Sequence, residues 1–268
     1  MEALFGDVQR YVSLLDPVVV TLKREYCHED LRPIFRSLPE RSIAIAPMAL
    51  CDRLAHDLGT TVSDNILRGI GALCLPISTH DDLVDELPKD RKTVTALVYA
   101  GNIAALEGVR LIAMSGHLEV LHAILTQVNK NHLFQQYCVT RLWEHAPLSF
   151  EEYREGIEHD CVFASIGIFA ALALARAMDR APQLWSFCVG YGVAFQLLDD
   201  IAEVAEDRVA GYHSFPLLEG APFDESFRKI FVHLDAAERA LDPKCKQLRE
   251  LLTYPRAFAE NLRHAMPP

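Results

Sequence analysis

Apolar residues recur every three to four positions along most of this 268-residue chain, the spacing that gathers them on one face of a helix. β-branched residues do not alternate with polar ones over useful lengths, so strands are not expected. The pattern predicts helices over 4–15, 18–27, 31–37, 45–58, 62–86, 94–115, 118–129, 133–145, 150–179, 183–206, 224–241, 243–253 and 256–265. Stops between them are legible: Gly59 as a C-terminal glycine, Pro88, and the segment beginning at Pro147, where Ser149 and Glu152 form a capping box. Segments 62–86, 150–179 and 183–206 are apolar nearly all round, as buried helices are. No Ser/Gly-rich linker divides the chain. The expectation is one all-α domain over residues 1–268, its long helices packed as a bundle.

Composition narrows the function classes. Half of the residues are hydrophobic, enough for a sizeable core. The formal charge of −11 is the wrong sign for a nucleic-acid surface. Seven cysteines lack a CxxC or Cys/His ligand spacing, which argues for reduced thiols and a cytoplasmic setting. Residues 1–7 have neither a basic n-region nor an apolar h-region, so no signal peptide is expected. The apolar run 162–175 lies between Asp160 and Arg176 and is too short for a comfortable membrane span; it reads as a buried helix.

Two acidic boxes carry the chemistry: Asp81-Asp82-Leu83-Val84-Asp85 and Asp199-Asp200-Ile201-Ala202-Glu203. Each sets two adjacent carboxylates one helical turn before a third, so the i, i+3 and i, i+4 pairs share a face. At an effective dielectric near 20, two such charges about 4 Å apart repel by roughly 4 kcal/mol. Both boxes stand at the ends of buried-looking helices, where uncompensated charge is costly. An all-oxygen carboxylate set selects a hard cation, Mg²⁺ before Zn²⁺, and Mg²⁺ commonly shares its shell with substrate phosphates.

His80-Asp81-Asp82-Leu83-Val84-Asp85-Glu86 resembles the first aspartate-rich motif of the trans-isoprenyl diphosphate synthases, and Phe195-Gln196-Leu197-Leu198-Asp199-Asp200 resembles their second. Asp90-Arg91-Lys92-Thr93-Val94 and Gly211-Tyr212-His213-Ser214-Phe215-Pro216 fit the family in the same order, and the likeness covers about residues 40–220. The resemblance implies an isoprenoid-synthase-type helical bundle around a central cavity, and a homodimer. It also implies several Mg²⁺ ions, with Asp81, Asp82, Asp85, Asp199, Asp200 and Glu203 as metal ligands, holding an allylic prenyl diphosphate that ionises to a carbocation. Arg91, Lys92, Gln196 and Arg208 are the expected substrate contacts, and no nucleic acid or membrane span enters the reading.

Departures from the family pattern separate the possible activities. Chain-elongating members carry a Gly-Lys-Arg-x-Arg-Pro-like segment that grips isopentenyl diphosphate. Here Ser42-Ile43-Ala44-Ile45-Ala46-Pro47 stands in that place, and Asp160-Cys161 replaces a Lys-Thr pair. Tyr212 occupies the place of a further lysine, and the loop after the second box is short. Each lost charge-assisted phosphate contact is worth about 1.5–3 kcal/mol. The reading favoured by these losses is a terpene synthase on a prenyl-synthase scaffold. Chain elongation, prenyl transfer to a non-diphosphate acceptor, and a non-catalytic subunit of a partner synthase remain as alternatives. Phe134, Tyr137, Phe163, Phe169, Tyr191 and Phe195 could stabilise a carbocation through their ring faces. His80 could orient a carboxylate. Cys74, Pro76 and Ile77 lie where the family tends to gate chain length.

Overall fold

The computed structural model describes residues 8–25, 42–85, 91–141, 149–158, 162–211 and 213–265; at 42–43, 78–85, 92, 131–141, 158, 162 and 210 it is the backbone that is described. Every regular element among the described residues is helical: α1 (Gln9–Glu25), α2 (Ser42–Asp57), α3 (Asp64–Asp85), α4 (Arg91–Met114), α5 (Leu118–Arg141), α6 (Phe150–Glu158), α7 (Val162–Leu174), a 3₁₀ turn (Met178–Arg180), α8 (Ala181–Ala202), α9 (Val204–Ala210), α10 (Phe215–Glu219), α11 (Asp224–Ala240), α12 (Lys246–Leu251) and α13 (Thr253–Ala265). The expected all-α class is what the chain adopts. It divides into two compact units, one of Asp7–Val128 with Ile166–Ala177, the other of Met1–Gly6, Asn129–Ser165 and Met178–Pro268.

In the first unit, α3 and α4 form an antiparallel pair that carries the first acidic box at its turn end. The two backbones approach where Gly108 faces Gly69: a Cβ added at Gly108 would lie 2.8 Å from the Gly69 carbonyl oxygen and 2.9 Å from the Leu73 amide nitrogen. Buried Ile66, Leu67, Ile70, Leu73 and Ile77 on α3 and Ala100, Ala104, Leu111 and Ile112 on α4 supply the apolar contact. The outward side of α4 leaves Tyr99, Leu106 and Met114 exposed. Its stretch Thr93–Met114 is the one described helix long and apolar enough to cross a membrane by length and composition, and it packs along α3. Helix α2 is clamped from the other side by α7, where a Cβ at Gly167 would overlap the Pro47 carbonyl oxygen and sit 2.9 Å from its carbon.

In the second unit, α8 and α11 run antiparallel in close contact. Gly190 permits this, since a Cβ there would lie 2.7 Å from the His233 carbonyl oxygen. Gln183 ties the far end by donating to the Ala240 carbonyl at 2.9 Å. Glu219, from α10, accepts the Ser226 amide at 2.8 Å and holds the first turn of α11. Helix α13 meets α11 through Arg256–Asp235 at 2.6 Å and Arg263–Asp224 at 3.3 Å; such exposed pairs contribute little to stability.

Several expected boundaries shift. The expected break between 15 and 18 is absent: α1 continues through Pro17. The loss of one backbone hydrogen bond is outweighed by an unbroken buried stripe of Tyr11, Leu14, Leu15, Val18, Val19 and Leu22. Segments 118–129 and 133–141 belong to the single helix α5, and the rest of the expected helix 133–145 lies outside the described residues. The expected helix 150–179 appears as α6 and α7 and stops at Leu174, because Arg176 takes a left-handed conformation, φ 55°, that a glycine would normally supply. The expected helix 183–206 is interrupted at Glu203, and the short α10 was not foreseen. Gly59 ends α2 as expected, with φ 74°. The expected helix 31–37 and Pro88 lie outside the described residues.

The Gly167 contact is between backbones and cannot be relieved by side-chain rotation. Gly167→Ala is expected to cost about 3 kcal/mol, which in a chain of this size lowers the thermal midpoint by roughly 6–12 °C. Circular-dichroism melting checks this, and a fall below about 2 °C would contradict the close approach.

Candidate functional site

Helix α8 organises the second acidic box. Along one ridge of α8, at intervals of four residues and turning about 40° per step, stand Phe187, Tyr191, Phe195 and Asp199, with Glu203 following just past the helix end. Phe187 and Tyr191 stack with ring centroids 5.7 Å apart, and Tyr191 and Phe195 at 6.2 Å. Phe163 joins this ladder, its ring 5.3 Å from that of Phe195. Burial declines along the ridge, from fully buried Phe187 through half-buried Phe195 to exposed Asp199 and Glu203. An aromatic floor therefore leads to a carboxylate rim.

Asp199 sits in the last turn of α8, where the helix itself is negative, and Glu203 stands at the junction with α9. Glu203 is the C-cap of α8, its amide donating to the Asp199 carbonyl at 2.9 Å, and the chain turns there into α9. Helix C-termini carry about half a negative charge and disfavour acids by roughly 0.3–1 kcal/mol each. Acids at this end gain from a bound cation. Helix α3 has the same arrangement in its backbone, Asp81 and Asp82 standing in its last turns and Asp85 closing it.

Asp200 behaves differently from its neighbours. One residue on from Asp199, and so turned by about 100° around the helix, it is 4% exposed. Its Oδ2 accepts a hydrogen bond from the Tyr153 hydroxyl, and its Oδ1 accepts one from Gln196 Nε2 at 2.8 Å. Both oxygens of this buried acid thus have a donor, as burial requires.

Tyr153 is delivered by α6, whose start is fixed when the Glu152 amide donates to Ser149 Oγ at 3.2 Å. That is the expected capping position. The tyrosine ring, fully buried, completes a three-ring cluster with Phe150, at 6.1 Å, and Phe215, at 5.9 Å. Phe150 and Phe215 meet edge to face at 5.0 Å. The Ser214-Phe215-Pro216 segment thereby acts as packing against Tyr153, and the Ser214 hydroxyl is buried with no hydrogen-bond partner among the described residues. On the far side of Phe150 lie the His233 ring, 5.8 Å away, and the Lys229 ammonium, 4.2 Å above the ring.

The sequence candidates distribute as follows. Gln196 joins Asp200 directly. Asp199 and Glu203 stand at the end of the α8 ridge, and Asp200 points elsewhere. Asp81, Asp82, Asp85 and Lys92 are placed by backbone alone, on α3 and the first turn of α4, and Arg91 opens α4 exposed to solvent. Arg208 is exposed on α9 and forms no ion pair among the described residues. Of the aromatic candidates, Phe163, Tyr191 and Phe195 form the ladder; Phe169 belongs to the first unit, and Phe134 and Tyr137 are described by backbone alone. Cys74 is fully buried, its thiol pushed up to about 12 by burial. Among the described residues no three His, Cys, Asp or Glu side chains converge as a metal centre. The rim of α8 supplies two oxygen-donor acids, a donor type that suits a hard divalent cation. Surface hollows lined by Asp235, Glu238, Arg239, Leu241 and Arg249, and by Phe231, Glu260, Arg263 and His264, involve neither box.

Tyr153 was missed in the sequence. Nothing local marks it, because its partner lies 47 residues away; the capping box located its helix but not its contact.

No protein-family model matches this chain, and no curated protein does. Solved structures do. The geranyltranstransferase of Thermotoga maritima superposes with a TM-score of 0.71 at 14% identity, covering 95% of this chain and 99% of that one. A decaprenyl diphosphate synthase from Rhodobacter capsulatus gives 0.71 at 14% identity, with 95% and 97% covered. A geranylgeranyl pyrophosphate synthase from Corynebacterium glutamicum, complexed with calcium and isoprenyl diphosphate, gives 0.67 at 15% identity, with 96% and 99% covered. The chain has the all-α fold of these trans-prenyl diphosphate synthases, the fold that its paired acidic motifs implied.

His233 is held well below its ordinary value, at about 4, first by burial and then by the Arg154 and Lys229 charges, against a smaller opposite effect of Glu151. In the unfolded chain it titrates near 6.5. Between those values the unfolded state binds more protons, so stability is complete above pH 6.5 and falls as pH drops towards 4. Wild type is expected to lose on the order of 2 kcal/mol between pH 7 and 4.5 through this group. His233→Gln should flatten that part of the slope in urea unfolding; parallel profiles for the two proteins would contradict it.

Proposed function

We propose that this protein is a divalent-metal-dependent enzyme of prenyl diphosphate chemistry, Mg²⁺ being the expected ion. The observation that carries the proposal is the α8 ridge, an aromatic ladder that runs to Asp199 in the negative last turn and to Glu203 at the junction with α9. A bound divalent cation supplies charge neutralisation to a departing diphosphate. Asp199 and Glu203, with the acids of the first box, Asp81, Asp82 and Asp85, would hold such ions, and Arg91, Lys92 and Arg208 would steady the diphosphate oxygens. The allylic C–O bond then breaks with its electron pair leaving on pyrophosphate. Phe195, the half-buried end of the ladder, would offer a ring face to the resulting allylic cation, with Phe163 and Tyr191 packed behind it as apolar surroundings that keep water away.

The structural neighbours support prenyl transfer, with chain elongation foremost, as the fate of that cation, since each is named for such a synthase. One observation favours a second reading, a terpene synthase that ionises a single diphosphate or transfers the prenyl group to another nucleophile. Ala44 and Ala46, standing where elongating enzymes carry cations for isopentenyl diphosphate, are fully buried in α2. No phosphate can be gripped there. A homodimer belongs to the same proposal by resemblance, and the exposed apolar side chains of α4 would suit it.

Incubation with Mg²⁺ and geranyl, farnesyl or geranylgeranyl diphosphate, with and without isopentenyl diphosphate, is expected to release pyrophosphate, and EDTA to stop it. A longer diphosphate formed only with isopentenyl diphosphate identifies elongation; a hydrocarbon or alcohol from one substrate identifies the second reading. Asp199→Ala should lower kcat/KM at least 100-fold, about 2.7 kcal/mol. Absence of turnover with every substrate, whatever the metal, would overturn the enzymatic proposal and leave the subunit alternative.

A further inference from the structure

We infer that the Tyr153 hydroxyl positions the second acidic box, holding Asp200 inward as a strut so that Asp199 and Glu203 are the members of that box which face a cation. The inference rests on the function proposed above and refines it. In sequence the three acids look equivalent. In the fold one of them is buried, with Tyr153 on one oxygen and Gln196 on the other, while its two companions are exposed at the end of the aromatic ridge. Among the described residues two neutral donors, Tyr153 and Gln196, reach the Asp200 carboxylate, one on each oxygen, and offset much of its burial. Its anchor point is well held: Tyr153 is fully buried and packs against the Phe150–Phe215 pair on a capped helix.

The geometry explains why a strut is needed at this position. The backbone changes direction at Glu203, φ −102° and ψ 10°, immediately after the box. An i, i+4 carboxylate pair that straddles a helix end has its second member at the fraying residue, whose direction depends on how the last turn is held. Asp200 lies within that turn, and fixing its side chain to α6 fixes the rotation of α8 about its own axis. Losing the tyrosine hydroxyl would leave the acids present but loosely aimed, which weakens metal-assisted diphosphate binding before it weakens folding.

Calorimetric titration of inorganic pyrophosphate into the full chain at graded Mg²⁺ concentrations tests this. Tyr153→Phe is expected to raise the Mg²⁺ concentration for half-maximal pyrophosphate binding by about five- to tenfold, the loss of one strong hydrogen bond. Excess Mg²⁺ should restore the binding. Asp200→Asn, which keeps the shape and can still accept from Tyr153, should shift it by no more than about twofold. Asp199→Asn should lose the binding across the range. Phe227→Leu, a packing defect in α11, should melt earlier with an unchanged Mg²⁺ requirement. Equal losses for Asp200→Asn and Asp199→Asn would make Asp200 a ligand and overturn the inference, as would a Tyr153→Phe protein indistinguishable from wild type. A metal-free urea cycle reads the strut separately: Tyr153→Phe and Asp200→Ala, each of which removes the hydrogen bond, should be non-additive, and strict additivity would overturn it. A wild type that binds no pyrophosphate at any Mg²⁺ level overturns the cation-facing role together with the proposed function, while the urea cycle still decides the hydrogen bond.

Discussion

Much in the second unit turns on the accommodation of one buried carboxylate. Asp200 is taken out of water at the end of a helix whose dipole already opposes it, and an isolated charge there would cost several kcal/mol. Two side-chain donors from different directions make the position tolerable: Gln196 from the preceding turn of the same helix, and Tyr153 from α6. The second donor imposes a tertiary requirement. Helix α6 must begin at Ser149, Phe150 and Phe215 must pack against the tyrosine ring, and α10 must return the chain to supply Phe215. A polar need of a single side chain thus draws two short helices, α6 and α10, to the end of α8.

What this achieves is separation of two environments within a single turn. The aromatic side of α8 stays apolar up to Phe195, and the acids begin at the next turn of the same face. Chemistry that expels an anion and leaves a carbocation needs this division, with charge held at one end and a dry polarizable surface behind it. Had Asp200 also turned outward, three carboxylates would crowd the rim and repel one another. Had it been apolar, nothing would fix the rotation of the last turn against α6.

The sequence revealed those parts of the molecule whose physics is local. Periodicity located the long helices, Gly59 and the Ser149–Glu152 cap marked real ends, and the two acidic boxes marked the ends of α3 and α8. Local rules failed where tertiary contact outweighed them. Pro17 looked like a break and is not one, because the apolar stripe of α1 continues on both sides. Arg176 performs a turn that glycine usually marks, so the end of α7 was invisible. The inequality of Asp199 and Asp200 could not be read from adjacent identical residues; it exists only because α6 reaches one of them and not the other.

Low sequence identity to structures of the same fold, 14–15%, also indicates which constraints act on this chain. Packing tolerates exchange of one apolar side chain for another of similar volume, so the helices can keep their arrangement while most residues change. A phosphate-gripping cation is different: it has to reach solvent or ligand, and its loss cannot be repaired by repacking. At Ala44 and Ala46 the chain places small apolar residues in the core of α2, and the backbone of α7 closes onto Pro47. Restoring a lysine or arginine at 44 or 46 would bury a charge against a fully packed wall. On the proposed function, a second diphosphate would not be held by that segment, and the two exposed acids at the end of α8 would carry the ion-binding role.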